Sequence, residues 1–183
     1  MRVLVSITGA SGSIYGVRLV EELVRAKCEV LLIISDCARP ILEFETKYSV
    51  EQVEKLASRV YENVDLWAGP SSGTFPLDAM VVAPCSMKTL SAVAHGFEES
   101  LTSRAASCIL KEGRKLILVI RETPLDLPGI RNMVLAKEAG AVLLPAMPGF
   151  YQKPKTVDDL VDFIVGKILD QLRVKHSLYK PWK

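Results

Sequence analysis

The sequence predicts an α/β fold built on a doubly wound, mainly parallel sheet, and three features predict it. Short apolar runs alternate with longer segments of helical periodicity along the chain. Those runs lack the polar alternation of a sheet with one wet face, so both faces are expected to be covered by helices. The first run leads straight into TGASGSIYG, Thr8–Gly16, and glycines so placed after a strand usually let a backbone approach a phosphate.

Taken in order, Arg2–Thr8 reads as a buried strand. Ser13–Lys27 reads as a helix, with Ile14, Val17, Leu19 or Val20, and Leu23–Val24 near the helical period. Glu29–Ser35 is a second strand. Asp36 stands where a cap would open a helical stretch carrying to about Thr46, and Ser49 where one would open another, Val50–Tyr61, with Glu51 or Gln52 in its first turn. Leu66–Leu77, LWAGPSSGTFPL, is a loop of turn residues, expected to be exposed and to need a partner surface. Asp78–Pro84 is a third strand, Ser86–Ala94 and Leu101–Glu112 are helices, and Lys115–Arg121 is a fourth strand. Ile130–Ala139 is a helix, Ala141–Leu144 a short fifth strand, and Met147–Lys155 a proline-rich loop. Thr156 caps a last amphipathic helix reaching about Val174. No linker, repeat or low-complexity segment interrupts this alternation, so residues 1–183 read as a single domain whose last part, about 156–183, is a helix and a short tail.

A chain of 183 residues can bury a substantial core. Its 49% hydrophobic and 24% charged residues are ordinary for a soluble globular protein. The net charge of +2 implies no large field for nucleic acid or a membrane surface. No apolar stretch approaches the roughly 18–20 residues that span a bilayer, and the N-terminus lacks a signal-peptide pattern. Cys28, Cys37, Cys85 and Cys108 form no CxxC pair, which argues against zinc or a dithiol site. They read as buried thiols of a cytoplasmic protein. His95 and His176 are isolated and read as helix-surface side chains, so no metal is expected.

In a doubly wound sheet, ligands sit at the carboxyl ends of the strands. That rule selects Gly9–Ser13, Ser35–Asp36, Pro84–Thr89 and Arg121–Pro124. The first loop is neither a Walker A, since no Gly-Lys-Ser/Thr follows, nor GxGxxG. Asp36 could hold a ribose in a dinucleotide enzyme. The third loop, PCSMKTLSAVAHG, offers Ser86 and Thr89 at a helix N-terminus, where amides and dipole favour an anion. Alone, such residues do no more than cap a helix. Three hydroxyl-rich loops on one crevice fit a mononucleotide better than a long pyrophosphate. Strand Leu116–Ile120 carries Arg121 and Glu122 of IRETPL to the same edge. Farther on, Tyr151, Lys153 and Lys155 form a hydroxyl-plus-cation cluster suited to a second anion.

Four segments together, TGASGSIYG, PCSMKTLSAVAHG, RETPL and PAMPGFYQKPKTVDDLVDFIVGKILD, make the chain resemble the UbiX-like flavin prenyltransferases, formerly called phenylacrylic or aromatic-acid decarboxylase subunits. The likeness runs almost end to end. It implies a Rossmann-like, flavodoxin-like fold and a metal-independent enzyme binding reduced FMN and dimethylallyl phosphate. Such an enzyme joins the prenyl group to N5 and C6 of the flavin. The product would serve a separate UbiD-like decarboxylase in aromatic-acid or ubiquinone-related metabolism. The resemblance places FMN against Gly9, Ala10, Ser11, Ser35, Ser86, Thr89 and Arg121, with Met87 and Lys88 in the same loop. It places the prenyl phosphate against Lys111, Arg121, Tyr151 and Lys167. It implies catalytic roles for Glu45, Arg104, Glu122, Trp67 and Trp182, and a dodecamer with sites completed by neighbouring subunits. Some relatives carry arginine where this chain has Lys167, which keeps the charge and loses the bidentate fork.

Elementary chemistry agrees with that set. An allylic monophosphate leaves only when its developing charge is neutralised, which arginine, lysine and tyrosine donors can do. The allylic cation left behind is stabilised by an aromatic face. A carboxylate such as Glu122, or the released phosphate, could take the proton that ring closure sheds. Three other readings compete. An FMN-dependent cysteine decarboxylase shares the fold but has no use for RETPL and the Tyr151 cluster. A flavin storage protein has no use for Lys111, Tyr151 and Lys167. A short-chain NAD(P) reductase would use Tyr151 and Lys155 as YxxxK, which requires a helix where Gly149 and Pro154 predict a loop.

Overall fold

The computed structural model describes residues 1–180 and Trp182; Pro181 and Lys183, the rest of the expected tail, lie outside the described residues. Arg2–Ile7 (β1), Glu29–Ile34 (β2), Arg59–Tyr61 (β3), Ala79–Cys85 (β4), Lys115–Ile120 (β5) and Val142–Leu143 (β6) form one sheet in the order β3-β2-β1-β4-β5-β6. Every neighbouring pair is parallel. The five strands predicted from the sequence are arranged 2-1-3-4-5, the flavodoxin-like order, and the short β3 extends that sheet to the Rossmann order 3-2-1-4-5-6.

The helices are Ser13–Arg25 (α1), Ala38–Glu45 (α2), Val50–Glu54 (α3), Met87–His95 (α4), Leu101–Lys111 (α5), Leu127–Glu138 (α6) and Val157–Leu172 (α7). Successive side chains of a strand point to opposite faces. Val3, Val5 and Ile7 of β1 therefore pack with Val17 and Val20 of α1 and Val165 and Leu169 of α7. Leu4 points the other way and packs with Leu90 of α4 and Leu101 and Ile109 of α5. Both faces are covered, which is why the strands show no polar alternation. No described helix is long and apolar enough to cross a membrane.

Pro84 lies inside the central strand β4, where it donates no ladder bond. The β4–β5 register shifts between Val82 and Cys85, so the irregularity falls at the proline. The Ala83–Pro84 and Thr123–Pro124 peptides are cis.

Several boundaries differ from the sequence expectation. The helix expected over Val50–Tyr61 opens as predicted, with a capping box between Ser49 and Gln52, but ends at Glu54. Val60 and Tyr61 instead pair with Leu32 and Ile33 as β3, so edge pairing with β2 overrides the local helical pattern. Asp36 does not cap α2. Its N-cap is Cys37, with no side-chain bond, and the Ser35 carbonyl accepts from Ala38 at 2.8 Å. Helix α6 begins at Leu127 rather than Ile130, because Asp126 accepts from Gly129 N–H at 2.8 Å and Pro128 fits a first turn. The Leu66–Leu77 loop carries a 3₁₀ turn at Gly69–Ser71 and buries Ala68, Pro70 and Leu77, while Trp67 is 98% exposed. His176 lies past α7 with a side chain only 8% exposed, rather than on a helix surface. The cysteines divide: Cys85 and Cys108 are buried, Cys28 is half-buried and Cys37 is exposed.

Helix α1 approaches the sheet so closely that a Cβ at Gly16 would lie 2.3 Å from the Ala83 carbonyl oxygen and 2.7 Å from Ile7 Cγ1. Gly16→Ala is therefore expected to destabilise the protein by about 1–3 kcal/mol, the usual cost of overpacking. A lowered urea midpoint at unchanged cooperativity is the expected result, and an unchanged midpoint contradicts this packing.

Candidate active site

The carboxyl ends of β1, β2, β4 and β5 enclose a crevice of about 550 Å³, lying where the chain leaves β1 and β4 in opposite directions. Thr8 ties its floor together. The Thr8 hydroxyl donates to the Pro84 carbonyl at 2.7 Å and accepts from Ser86 N–H at 2.9 Å. Gly9 is required beside it, since a Cβ there would sit 2.9 Å from Cys37 Cβ. Ser86 caps α4, accepting from Thr89 N–H at 3.2 Å, and its hydroxyl lies 3.0 Å from that of Thr89. The other first-turn amides of a helix have no intrahelical acceptor and are free to meet an anion. Arg121 closes the rim from β5 by donating from Nε to the Ser11 carbonyl at 3.0 Å.

The residues fit a flavin mononucleotide on an observation independent of the motifs. The Ser35 hydroxyl is buried and has no hydrogen-bond partner among the described residues, although Ser35 lines the crevice. Buried hydroxyls in native proteins find partners, and a polar ligand in the crevice would supply one here. With the α4 N-terminus and the Arg121 guanidinium, the crevice presents hydroxyl, amide and cationic donors around a volume ordinary for a small-molecule site.

Of the FMN set, Gly9, Ala10, Ser35, Ser86, Met87, Lys88, Thr89 and Arg121 all line this crevice, and Glu122 joins them. Ser11 does not line it and contributes its carbonyl to Arg121. Lys88 is paired with Glu99 at 2.9 Å across the mouth, and that carboxylate holds its ammonium above the ordinary lysine range. The sequence reading missed a whole wall: Asn63, Glu99, Ser100, Thr102 and Ser103. Asn63 Oδ1 accepts from the Thr102 hydroxyl at 2.7 Å, and that hydroxyl lies 2.7 Å from Ser6 Oγ in β1. The Ser100–Ser103 capping pattern was available in the sequence; Asn63 follows the unpredicted β3.

Glu45 lies elsewhere than in the crevice. It accepts from the amides of Gly12 at 2.7 Å and Ser13 at 3.3 Å. The N-terminus of α1, where a glycine loop would seat a phosphate, is thus filled by the chain's own carboxylate. Burial raises the pKa of neighbouring Tyr15, and Arg121 opposes that shift.

The prenyl-phosphate set does not meet within one chain. Tyr151, Lys167 and Trp182 line a separate hollow beside α7, together with Arg173 and Lys175. Lys153 and Lys155 line other surfaces than Tyr151 does, so the expected three-residue cluster splits, and neither Tyr151 nor Lys155 is helical. Lys111 ends α5, whereas Ser100, Thr102 and Ser103 at the start of α5 line the crevice; helical rise carries the lysine to the far end of the sheet. Arg104 turns away from the crevice, donating to the Ser71 carbonyl at 2.9 Å and pairing with Glu98.

Fold and crevice together define a mononucleotide-binding α/β protein, and the family model described as Flavoprotein matches residues 1–169. The chain is 47% identical over 182 residues to flavin prenyltransferase UbiX of Thauera aromatica, covering 100% of this chain and 94% of that one. A crystal structure of AnUbiX (PadA1) in complex with FMN and dimethylallyl pyrophosphate superimposes with a TM-score of 0.98 at 41% identity, covering 100% and 97% of the two chains. A dodecameric FMN-dependent UbiX-like decarboxylase from Escherichia coli O157:H7 gives 0.97 at 41% identity, with both chains covered fully. The chain belongs to the UbiX-like flavin prenyltransferase family.

The thiols offer a test of this geometry. Burial pushes the Cys85 thiol far above the ordinary cysteine range, whereas Cys37 is exposed on the crevice lining. A disulfide reagent is expected to label Cys37 in the native protein and to reach Cys85 and Cys108 only in denaturant. FMN should slow labelling at Cys37; equal rates at Cys37 and Cys85 would contradict the placement.

Proposed function

We propose that the chain is a single flavoprotein domain that transfers a dimethylallyl group from dimethylallyl phosphate to N5 and C6 of reduced FMN. The observation that carries this is the crevice at the β1/β4 switch point, with its unpartnered Ser35 hydroxyl, in a chain 47% identical to a flavin prenyltransferase. The complex of the related AnUbiX with FMN and dimethylallyl pyrophosphate supports FMN and a dimethylallyl phosphoester as the ligands.

In this reading Gly9, Ala10, Ser35, Ser86, Met87, Lys88, Thr89 and Arg121 hold FMN, which supplies the nucleophilic ring atoms, and Ser11 takes part by holding Arg121 through its carbonyl. Lys111, Arg121, Tyr151 and Lys167 surround the prenyl phosphate and neutralise the charge that grows on it as the allylic bond breaks. Trp67 and Trp182 offer aromatic faces to the allylic cation. Arg104 supports the same anion. Glu45 orients the first loop by capping α1, and Glu122, beside Arg121 on the crevice, takes the proton released on ring closure. These groups lie on separate faces of one subunit, and the working site is assembled where subunits meet. A homododecamer is the assembly, supported by the dodecameric relative. The product serves a UbiD-like decarboxylase, and four free cysteines accord with a cytoplasmic protein.

Anaerobic incubation with reduced FMN and dimethylallyl phosphate, followed by mass analysis of the released flavin, tests the reading. A gain of one C5 prenyl unit is expected, and an unmodified flavin or released NAD(P) overturns it.

Two variants should fail differently. Tyr151→Phe should retain FMN and lose use of dimethylallyl phosphate by about 0.5–1.5 kcal/mol, or up to ~3 if the lost bond is to a charged oxygen. Glu122→Gln should retain both ligands and turn over roughly 10²–10⁴-fold more slowly, the size of general-base catalysis. A Glu122→Gln enzyme at native speed assigns the proton to the phosphate instead. Loss of FMN from Tyr151→Phe removes Tyr151 from the phosphate.

A further inference from the structure

The segment after α7 is folded back onto that helix at one side chain. Arg173 turns the chain with a left-handed φ of 58°. Gly166 makes the room, since a Cβ there would sit 2.5 Å from the Tyr179 ring and 2.9 Å from His176 Cε1. Asp170, one turn farther along α7, then binds both tail residues. His176 Nε2 lies 3.1 Å from Asp170 Oδ1, and the Tyr179 hydroxyl donates to Oδ2. Lys167 Nζ stands 3.5 Å from the same Oδ2 and 5.6 Å from the centre of the Tyr179 ring.

A second pin holds the tail to the Tyr151 loop. The Gln152 side-chain amide donates to the Lys180 carbonyl and accepts from Lys180 N–H. Between these pins the rings interlock. Tyr151 meets Trp182 edge-on at 5.0 Å and Phe163 edge-on at 5.7 Å, and Phe163 lies 5.3 Å from Tyr179. Burial raises the Asp170 carboxyl, yet bonds from Tyr179 and His176 outweigh it and leave its pKa below the ordinary value. Asp170 is therefore an ionised acceptor with both oxygens engaged.

We propose that Asp170 is a positioning residue for the prenyl donor: its carboxylate straps the tail to α7 and so fixes Tyr151 and Lys167 around the donor's phosphate, with Trp182 packed on Tyr151. This rests on the reading of Tyr151 and Lys167 as phosphate ligands. A negative charge lining an anion's seat is unfavourable as a charge alone. Its gain is geometric, because a lysine on a flexible four-carbon stem binds an anion best when already held in place.

That opposition gives the test a sign. With reduced FMN bound and dimethylallyl phosphate varied, Asp170→Asn is expected to raise KM roughly tenfold, with the loss falling on KM rather than kcat. That is the size of one charge-assisted hydrogen bond. Tyr179→Phe removes the hydroxyl that donates to Asp170 Oδ2 and should raise KM in the same direction. The double variant should be little worse than Asp170→Asn alone, because the Tyr179 hydroxyl acts through that carboxylate, while Tyr179→Phe by itself leaves the His176 bond in place. A lowered KM in Asp170→Asn means that the carboxylate acts only as a repelling charge and overturns the proposal. Equal losses of FMN affinity, kcat and KM in both single variants mark a general loss of structure and overturn it too. If Tyr151→Phe and Lys167→Ala raise KM while Asp170→Asn does not, the strap alone is wrong. If none of the three changes KM, the phosphate seat and the strap fall together.

Discussion

The bond pattern of Thr8 is the constraint on which the site depends. Its hydroxyl, buried and bonded on both sides, joins the end of β1 to the turn after β4. These are the strands at which the chain reverses its winding, so that α1 and α4 depart to opposite faces of the sheet. Without a polar clip, two loops diverging over a parallel sheet would leave backbone groups facing an open cleft. With it, the cleft has a rigid floor, and the amides at the start of α4 are aimed into it. The cis Pro84 provides the carbonyl that Thr8 uses, and the β4 register irregularity falls at that proline.

How the two helix N-termini are used follows from that floor. Both α1 and α4 begin at the crevice edge, and both dipoles favour an anion there. Glu45 satisfies α1 from within the chain, while Ser86 leaves most of the first turn of α4 open. The glycine-rich loop is the more conspicuous motif, yet its glycines serve packing and the turn into α1: a Cβ at Gly9 would meet Cys37, and Gly12 opens α1 with a left-handed φ of 98°. A carboxylate that fills an anion seat also fixes the loop before any ligand arrives, so less order has to be imposed on binding.

What could be read in the sequence divides along the same physical line. The long buried strands, α1, α5 and α7 were legible because apolar period and caps are local signals. The strand-end rule then located Gly9, Ser35, Ser86 and Arg121 at one crevice without any known ligand. Short β3 was not legible, since three residues carry no period and its only cause is pairing with β2. Asn63 was lost with it, and with Asn63 the polar wall that α5 presents. Asp126 and Pro128 start α6 in a way the sequence does signal, but the apolar pattern drew the boundary to Ile130. Lys111, Tyr151 and Lys167 were grouped through resemblance alone. No local pattern could show that α5 carries Lys111 to the far end of the sheet while Tyr151 and Lys167 share a hollow beside α7.

That dispersal has an electrostatic rationale in the proposed assembly. Several cations gathered in one small volume of a monomer repel one another and lose hydration, with no anion present to offset either term. On separate elements, each can be held by its own partner in the isolated fold: Arg121 by the Ser11 carbonyl, Arg104 by Glu98, Lys167 by Asp170. Bringing rigid surfaces together in that assembly would concentrate positive charge only where a phosphate can occupy it. The stability of each subunit would thereby be kept apart from the demands of the chemistry, and the cost of a strongly cationic site would be met at the interface, where bound phosphate offsets it.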